Sequence, residues 1–264
     1  MKRTSIFAAQ YLCVIAALII LFTSAPVSAM SESGIPVGST TIVISQVYSG
    51  GGGASGTYIN DYVELKNVSG STQSLNGLSL QYASAVGNFG SGSTLIFALP
   101  NVSINPGQYF LVQTSPAGSG GVALPVTPDA TTTNLSMSGT SGKVALANIT
   151  ASLGCGATAT PCTFPNANII DWVAYGAAGN GTAGNGEGGT SVNNGVAITA
   201  TQGSVRKAGG CTDNNNNNAD FDVVTAPVPR NTSSTLAPCG GPTVTQQHVV
   251  DYDGDGKTDF SVVR

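Results

Sequence analysis

Charge is what this sequence has least of. Its 264 residues include 9 Lys+Arg, 13 Asp+Glu and one histidine, so charged side chains are 8% of the chain, where about a quarter is usual for a soluble protein. The basic residues past the N-terminus, Lys66, Lys143, Arg206, Lys207, Arg230, Lys257 and Arg264, are scattered. They form no stripe able to neutralise a run of phosphates, which argues against nucleic acid as a partner. The one histidine, His248, falls in a stretch without strand or helix periodicity, so a Ser-His-Asp relay has no rigidly held base. Helical spacing is missing too. No segment after residue 29 repeats apolar residues at a 3.6 period over three turns, which removes helical bundles. The longest apolar run, Tyr11 to Phe22, is well short of the roughly 20 residues that span a bilayer. Disorder is excluded from the other side, because 41% of the residues are hydrophobic and need a core.

What the sequence does have is alternation. "TTIVISQVYS" places Ile42, Ile44, Gln46 and Tyr48 on one face and Val43, Ser45 and Val47 on the other. "DYVELKN" puts Val63 and Leu65 together with Tyr62, Glu64 and Lys66 pointing away, the pattern of a half-buried strand. Asn76-Gly77 is a turn signal directly before Leu78, Leu80 and Tyr82. Further short runs, "TLIFAL", "GQYFLVQT", "GKVALAN", "NIIDWVAYG" and "GSVRK", are bounded by Gly, Pro, Asn or Ser. Many short strands with turn residues between them predict an all-β sandwich or barrel.

The first residues predict export. Lys2 and Arg3, the apolar run, and "TSAPVSA" ending at Ala29 have the layout of a secretory signal peptide over residues 1–29. Residues 30–39 then form a leader, 40–239 the β-domain, and 240–249 a linker. Cys13 leaves with the signal, and Cys155, Cys162, Cys211 and Cys239 remain. An even count in an oxidising compartment predicts two disulfides, with three connectivities open. Pairing of neighbours, Cys155–Cys162 and Cys211–Cys239, is the expectation. A zinc site would need a nearby histidine and paired ligand spacing, and neither is present.

Several motifs need weighing. "GGGASG" has the glycine spacing of a dinucleotide fingerprint, but a strand rather than a helix follows, so nothing there would hold a pyrophosphate. Asp61, Glu64, Asp171 and Glu187 are the acids available for paired-carboxylate chemistry. Glu64 and Asp171 both read as solvated outer-face strand residues, which leaves no active site in this domain. "CTDNNNNNADFD" concentrates Asp213, Asp220 and Asp222 with five asparagines. Either its side chains cap their own backbone as Asx turns, or Asp213 and Asp220 contribute to a calcium site.

"DYVELKNVSG", "LNGLSLQY", "LIFALPNVSINPGQYFLV", "LSMSGTSGKVALAN", "IIDWVAYG" and "SVRK…TDNNNNNADF" follow one another in the order of the lamin-tail domain. The chain resembles the form found in exported bacterial proteins from about Ile42 to Asn231. The telling residues are Asp61, Val63, Glu64, Leu65 and Asn67; Leu75, Gly77 and Leu80; and Asn217, Ala219, Asp220 and Phe221. The resemblance implies an immunoglobulin-like β-sandwich without catalytic residues. Leu78 stands where the family often has Trp, and the segment with Cys155 and Cys162 looks like an insertion. After the linker, "DYDGDGKTDFSVVR" at residues 250–264 resembles the opening of an FG-GAP or VCBS repeat, a calcium-loop propeller blade. Asp251, Asp253, Asp255 and Asp259 would be its ligands. The expectation is a secreted or cell-surface, non-catalytic module that binds extracellular protein or polysaccharide. The alternative is the accessory domain of a secreted hydrolase whose catalytic portion lies beyond Arg264.

Overall fold

The computed structural model describes residues 39–178 and 186–240. The segment expected to be a signal peptide and the acidic tail from Asp251 to Asp259 lie outside them. Strands come in chain order as β1 (Ile42–Tyr48), β2 (Asp61–Asn67), β3 (Gln73–Ser74), β4 (Ser79–Ser84), β5 (Ile96–Ala98) and β6 (Ser103–Ile104). They continue as β7 (Tyr109–Thr114), β8 (Ala130–Thr131), β9 (Gly142–Ala147), β10 (Ile169–Tyr175), β11 (Gln202–Arg206) and β12 (Phe221–Thr225). One sheet has the order β12-β11-β1-β2-β7-β8, the second β10-β9-β4-β5, and β3 pairs with β6 in a small third sheet. This is the immunoglobulin-like all-β sandwich that the lamin-tail resemblance implied, within the sandwich-or-barrel class that the alternation predicted.

The two large sheets bury their facing side chains against each other. Ile44, Val63, Leu65 and Val112 from the first meet Leu80, Val144, Leu146 and Val173 from the second in one cluster. Leu78, in place of the family's Trp, packs partly buried against its margin. The alternation is not continuous along β1. A bulge between Ile44 and Gln46 shifts the pairing with β2, so Ile42, Ile44 and Val47 share the core while Tyr48 faces the opposite way. One inserted residue reverses which side the remainder of a strand presents.

Both outer faces are covered as well. Over the first sheet, Tyr48, Tyr58, Tyr62 and Leu111 form a separate cluster. The chain after β12 crosses that face: Tyr58 donates to the Pro227 carbonyl at 2.9 Å, Gln46 to that of Val228 at 3.0 Å, and Gln108 to that of Thr232 at 3.0 Å. Over the second sheet, the insertion places Cys162, Leu153 and Cys155 on Phe89, Ala145 and Trp172. Lys143 holds it down, donating to the carbonyls of Gly87 and Gly156. Burial lowers this ammonium to a pKa of about 8. Every residue of β2 is therefore buried, and Tyr62, Glu64 and Lys66, expected to face solvent, lie under the covering chain.

The disulfides pair as expected, Cys155 with Cys162 and Cys211 with Cys239. The second closes the larger loop, with a sequence separation of 28 against 7, and pins the covering chain behind β11. Chain entropy predicts about 3–4 kcal/mol for that bond and about 2 kcal/mol for the smaller one. Replacing Cys211 and Cys239 together by Ser should lower the melting temperature more than replacing Cys155 and Cys162, and reductant should reproduce the combined loss. Differential scanning calorimetry checks both.

Candidate functional site

Pairing of β1 with β11 begins at Gln46, so the N–H and C=O of Ile44 have no strand neighbour on that side, and two charged side chains take them. Asp171 of β10, itself at a register shift between Ile169 and Asp171, accepts from the Ile44 N–H through Oδ2 at 2.6 Å. Arg206, the last residue of β11, donates from Nε to the Ile44 carbonyl at 2.9 Å and from its Nη2 to the same Asp171 oxygen at 2.6 Å. Both side chains are fully buried. Asp171 is thus a buried tie between the sheets and not the solvated strand residue expected from its sequence position. The reason is the point at which β11 stops pairing with β1, which alternation does not reveal. Burial raises its carboxyl to about 6 against the opposing pull of Arg206.

The guanidinium continues outward. Its Nη1 meets Asp213 Oδ1 at 3.1 Å and the Thr212 carbonyl at 3.2 Å, and the Phe221 ring lies beneath it at 4.5 Å. Asp213 Oδ2 accepts from the Ser39 N–H at 2.6 Å. Glu187 completes the group. One oxygen each from Asp171, Glu187 and Asp213 lie within 4.8 Å of one another. Burial, then the neighbouring Asp171 and Asp213, push the Glu187 carboxyl well above its ordinary range.

Asn217 links this cluster to the free edge of β10. Its carboxamide accepts from the Ala174 N–H at 2.8 Å and donates to the Trp172 carbonyl at 3.0 Å and to Glu187 at 3.1 Å. A side chain thereby does what a neighbouring strand would do and closes an edge open to pairing. The asparagine-rich loop builds its own support. Asp220 accepts from the N–H groups of Asn214 at 2.8 Å and Asn216 at 3.0 Å, and Asn216 caps the Ala219 N–H. Of the two residues expected to share a calcium site in this loop, Asp220 serves its own turn and Asp213 joins Asp171 and Glu187.

Glu64 is elsewhere and is also not solvated. It is completely buried and held by Ser45 at 2.5 Å, by Gln46 at 3.2 Å, and by Arg230 at 2.6 Å from its N–H and 2.7 Å from its guanidinium. Burial raises its pKa while Arg230 opposes the rise. Arg230 in turn stacks 3.8 Å over Tyr109, and Lys66 Nζ lies 5.2 Å from the same ring. Burial and Arg230 together lower Lys66 to about 8. The fourth acid, Asp61, receives the Met137 N–H at 2.9 Å and is raised to about 7 by burial. Among the described residues, Asp61, Glu64, Asp171, Arg206 and Arg230 serve as framework ties. Sequence context singles out neither Arg206 nor Arg230 as a site residue, and Asn217 enters it only as part of the family resemblance. For Arg206 the one available signal is a charged side chain at a strand end in a chain with few charges.

A surface concavity of about 550 Å³ lies at the outer edge of the first sheet, lined by Asn60, Gln113, Ser115, Thr131 and Thr133 among others. Its polar lining is amide and hydroxyl, without an ionisable side chain. Ser115 sits there with φ 62°, a backbone state uncommon outside glycine.

A doubly covered β-sandwich whose acids are tied to its own backbone defines a framework module. The Lamin Tail Domain family model matches residues 37–177, and the chain belongs to that family. A crystal structure of a DUF4876 family protein from Bacteroides thetaiotaomicron VPI-5482 aligns over 76% of this chain and 75% of that one, at 12% identity with a TM-score of 0.45. No curated protein matches the chain.

Two outcomes follow for stability. Asn217→Ala removes the partners of Ala174 N–H and Trp172 C=O at a buried edge and should cost about 2–4 kcal/mol; urea denaturation measures it. Asp61 titrates upward from 3.8 to about 7 on folding, so the native state holds the extra proton between those values. Its stabilisation is complete below about pH 4 and is lost as pH rises towards 7. Melting temperatures across that window should fall, and Asp61→Asn should flatten the slope.

Proposed function

We propose that this chain is an exported, non-catalytic lamin-tail module that attaches to an extracellular polymer, polysaccharide or protein, at the cell surface. The observation that carries the reading is the neutral concavity of Asn60, Gln113, Ser115, Thr131 and Thr133. Its amides and hydroxyls suit the hydroxyl groups of an uncharged saccharide or the main chain of an extended peptide. The buried acids already hold backbone N–H groups or basic side chains, which supports a scaffold rather than a paired-carboxylate hydrolase. Export is supported by two disulfides in a compartment that sustains them, and by the layout of residues 1–29. Among the described residues no helix is long and apolar enough to cross a membrane. The Asp251, Asp253, Asp255 and Asp259 loop, in this reading, begins a calcium-dependent repeat beside the module.

Co-sedimentation of the purified protein with insoluble neutral polysaccharides and with extracellular matrix protein tests the proposal. Retention is expected on one class. The double variant Gln113→Ala/Thr133→Ala, at solvent-facing positions of the lining, should weaken it about tenfold, the loss of two hydrogen bonds, with an unchanged melting temperature. Equal retention by this variant would remove the concavity from the reading, and turnover of the polymer would overturn the non-catalytic assignment.

A further inference from the structure

We propose that Asp171, Glu187 and Asp213 hold a divalent cation, calcium by their chemistry, where the edge of the second sheet meets the β1 bulge. Three segments bring these acids together: β10, the turn at Glu187–Gly189, and the loop after β11. One oxygen from each lies within 4.8 Å of the others. Proximity alone would not suffice, since acids often gather without an ion. The second observation is Asp171 Oδ1. The Asp171 side chain is fully buried, its Oδ2 is shared between Ile44 N–H and Arg206, and Oδ1 has no hydrogen-bond partner among the described residues. A buried carboxylate oxygen without a donor is costly, and a bound cation is one of the few things that removes the cost.

The charge count sets the valence. With all three carboxylates ionised, as a bound cation would hold them, Arg206 contacts one oxygen of Asp171 and one of Asp213 and balances one of three negative charges. Two remain, which a divalent ion neutralises. The donors are all hard oxygens, without histidine or thiolate, which excludes a zinc preference. Calcium accepts irregular oxygen shells, whereas magnesium demands a near-octahedral one and keeps its waters, so an enclosed trio drawn from separate loops suits calcium. Asp213 is the route in, since its side chain retains 8% of its exposure while Asp171 and Arg206 retain none. The other polar contacts leave the trio together: Asn217 donates to Glu187 Oε2, and Ser39 and Asn215 N–H groups donate to Asp213.

The sequence supplies its own probe. Trp172 is the only tryptophan and follows Asp171 directly. Terbium(III), a luminescent substitute for calcium, is added to the chelator-stripped full chain under tryptophan-selective excitation. Sensitised emission that calcium displaces is expected, together with a calcium-dependent rise in melting temperature. Glu187→Gln should weaken calcium about tenfold or more by removing one charged ligand. The proposal is overturned if the unmodified chain gives no tryptophan-sensitised emission. It is equally overturned if Asp251→Asn abolishes the emission while Glu187→Gln retains it, because the ion then belongs to the tail loop. Should Glu187→Gln not fold, the terbium measurement on the unmodified chain still decides.

Discussion

The peptide of Ile44 is the point on which the sandwich turns. Pairing of β11 with β1 begins only at Gln46, which leaves one N–H and one C=O of Ile44 outside the ladder, and leaving both unpaired in a buried place would cost several kcal/mol. Asp171 from one sheet and Arg206 from the other take them, and each takes the other's charge. The two sheets are therefore joined by hydrogen bonds with direction as well as by apolar contact, which has none. Buried ion pairs add little net stability when compared with well-packed hydrophobes. What this one contributes is a single relative placement of β1, β10 and β11, since a slip of one residue would strand two charges and two backbone groups.

The low charge content has a structural counterpart. In an ordinary sandwich the outward side chains of each strand meet water and are often Lys or Glu. Here the chain after β12 covers one outer face and the disulfide-bonded insertion much of the other, so those positions carry Tyr48, Tyr62, Ala145 and Trp172. Of the charges on strands, Asp222 of β12 is exposed, while Asp61, Glu64, Lys66, Lys143, Asp171 and Arg206 are buried. Each has a named partner, from the Glu64–Arg230 pair to the carbonyls that hold Lys143. Asn217 follows the same logic without charge: its carboxamide occupies both faces of a polarity problem at the β10 edge. The Asn217–Phe221 segment thus acts as a plug, with Asp220 bracing the turn that presents it and Phe221 starting the next strand beneath Arg206.

Alternation at period two and the spacing of turn residues carried the all-β class, the strand positions and the partition of Val63 and Leu65 into the core, because those depend on neighbours along the chain. Disulfide pairing by proximity in sequence was legible for the same reason. The roles of Glu64 and Asp171 were not. Alternation says which face a residue takes, but only the path of residues 226–238 makes the outer face of β2 a second interior, and only the packing of β10 on β1 brings Asp171 to a backbone N–H in the other sheet. Asp213 was visible as an acid in an acidic loop. Its company, Asp171 and Glu187, comes from two other segments, and no local pattern connects them.

By itself, then, the sequence determined a strand-built, disulfide-paired chain with few charges and a hydrophobic interior, since these follow from composition, period and spacing. The tertiary structure decided where those few charges went. Water is a strong competitor for any ion, so a carboxylate or guanidinium enters the interior only where folding supplies a donor, an acceptor or an opposite charge in return, and those partners are assembled from segments that meet nowhere but in space.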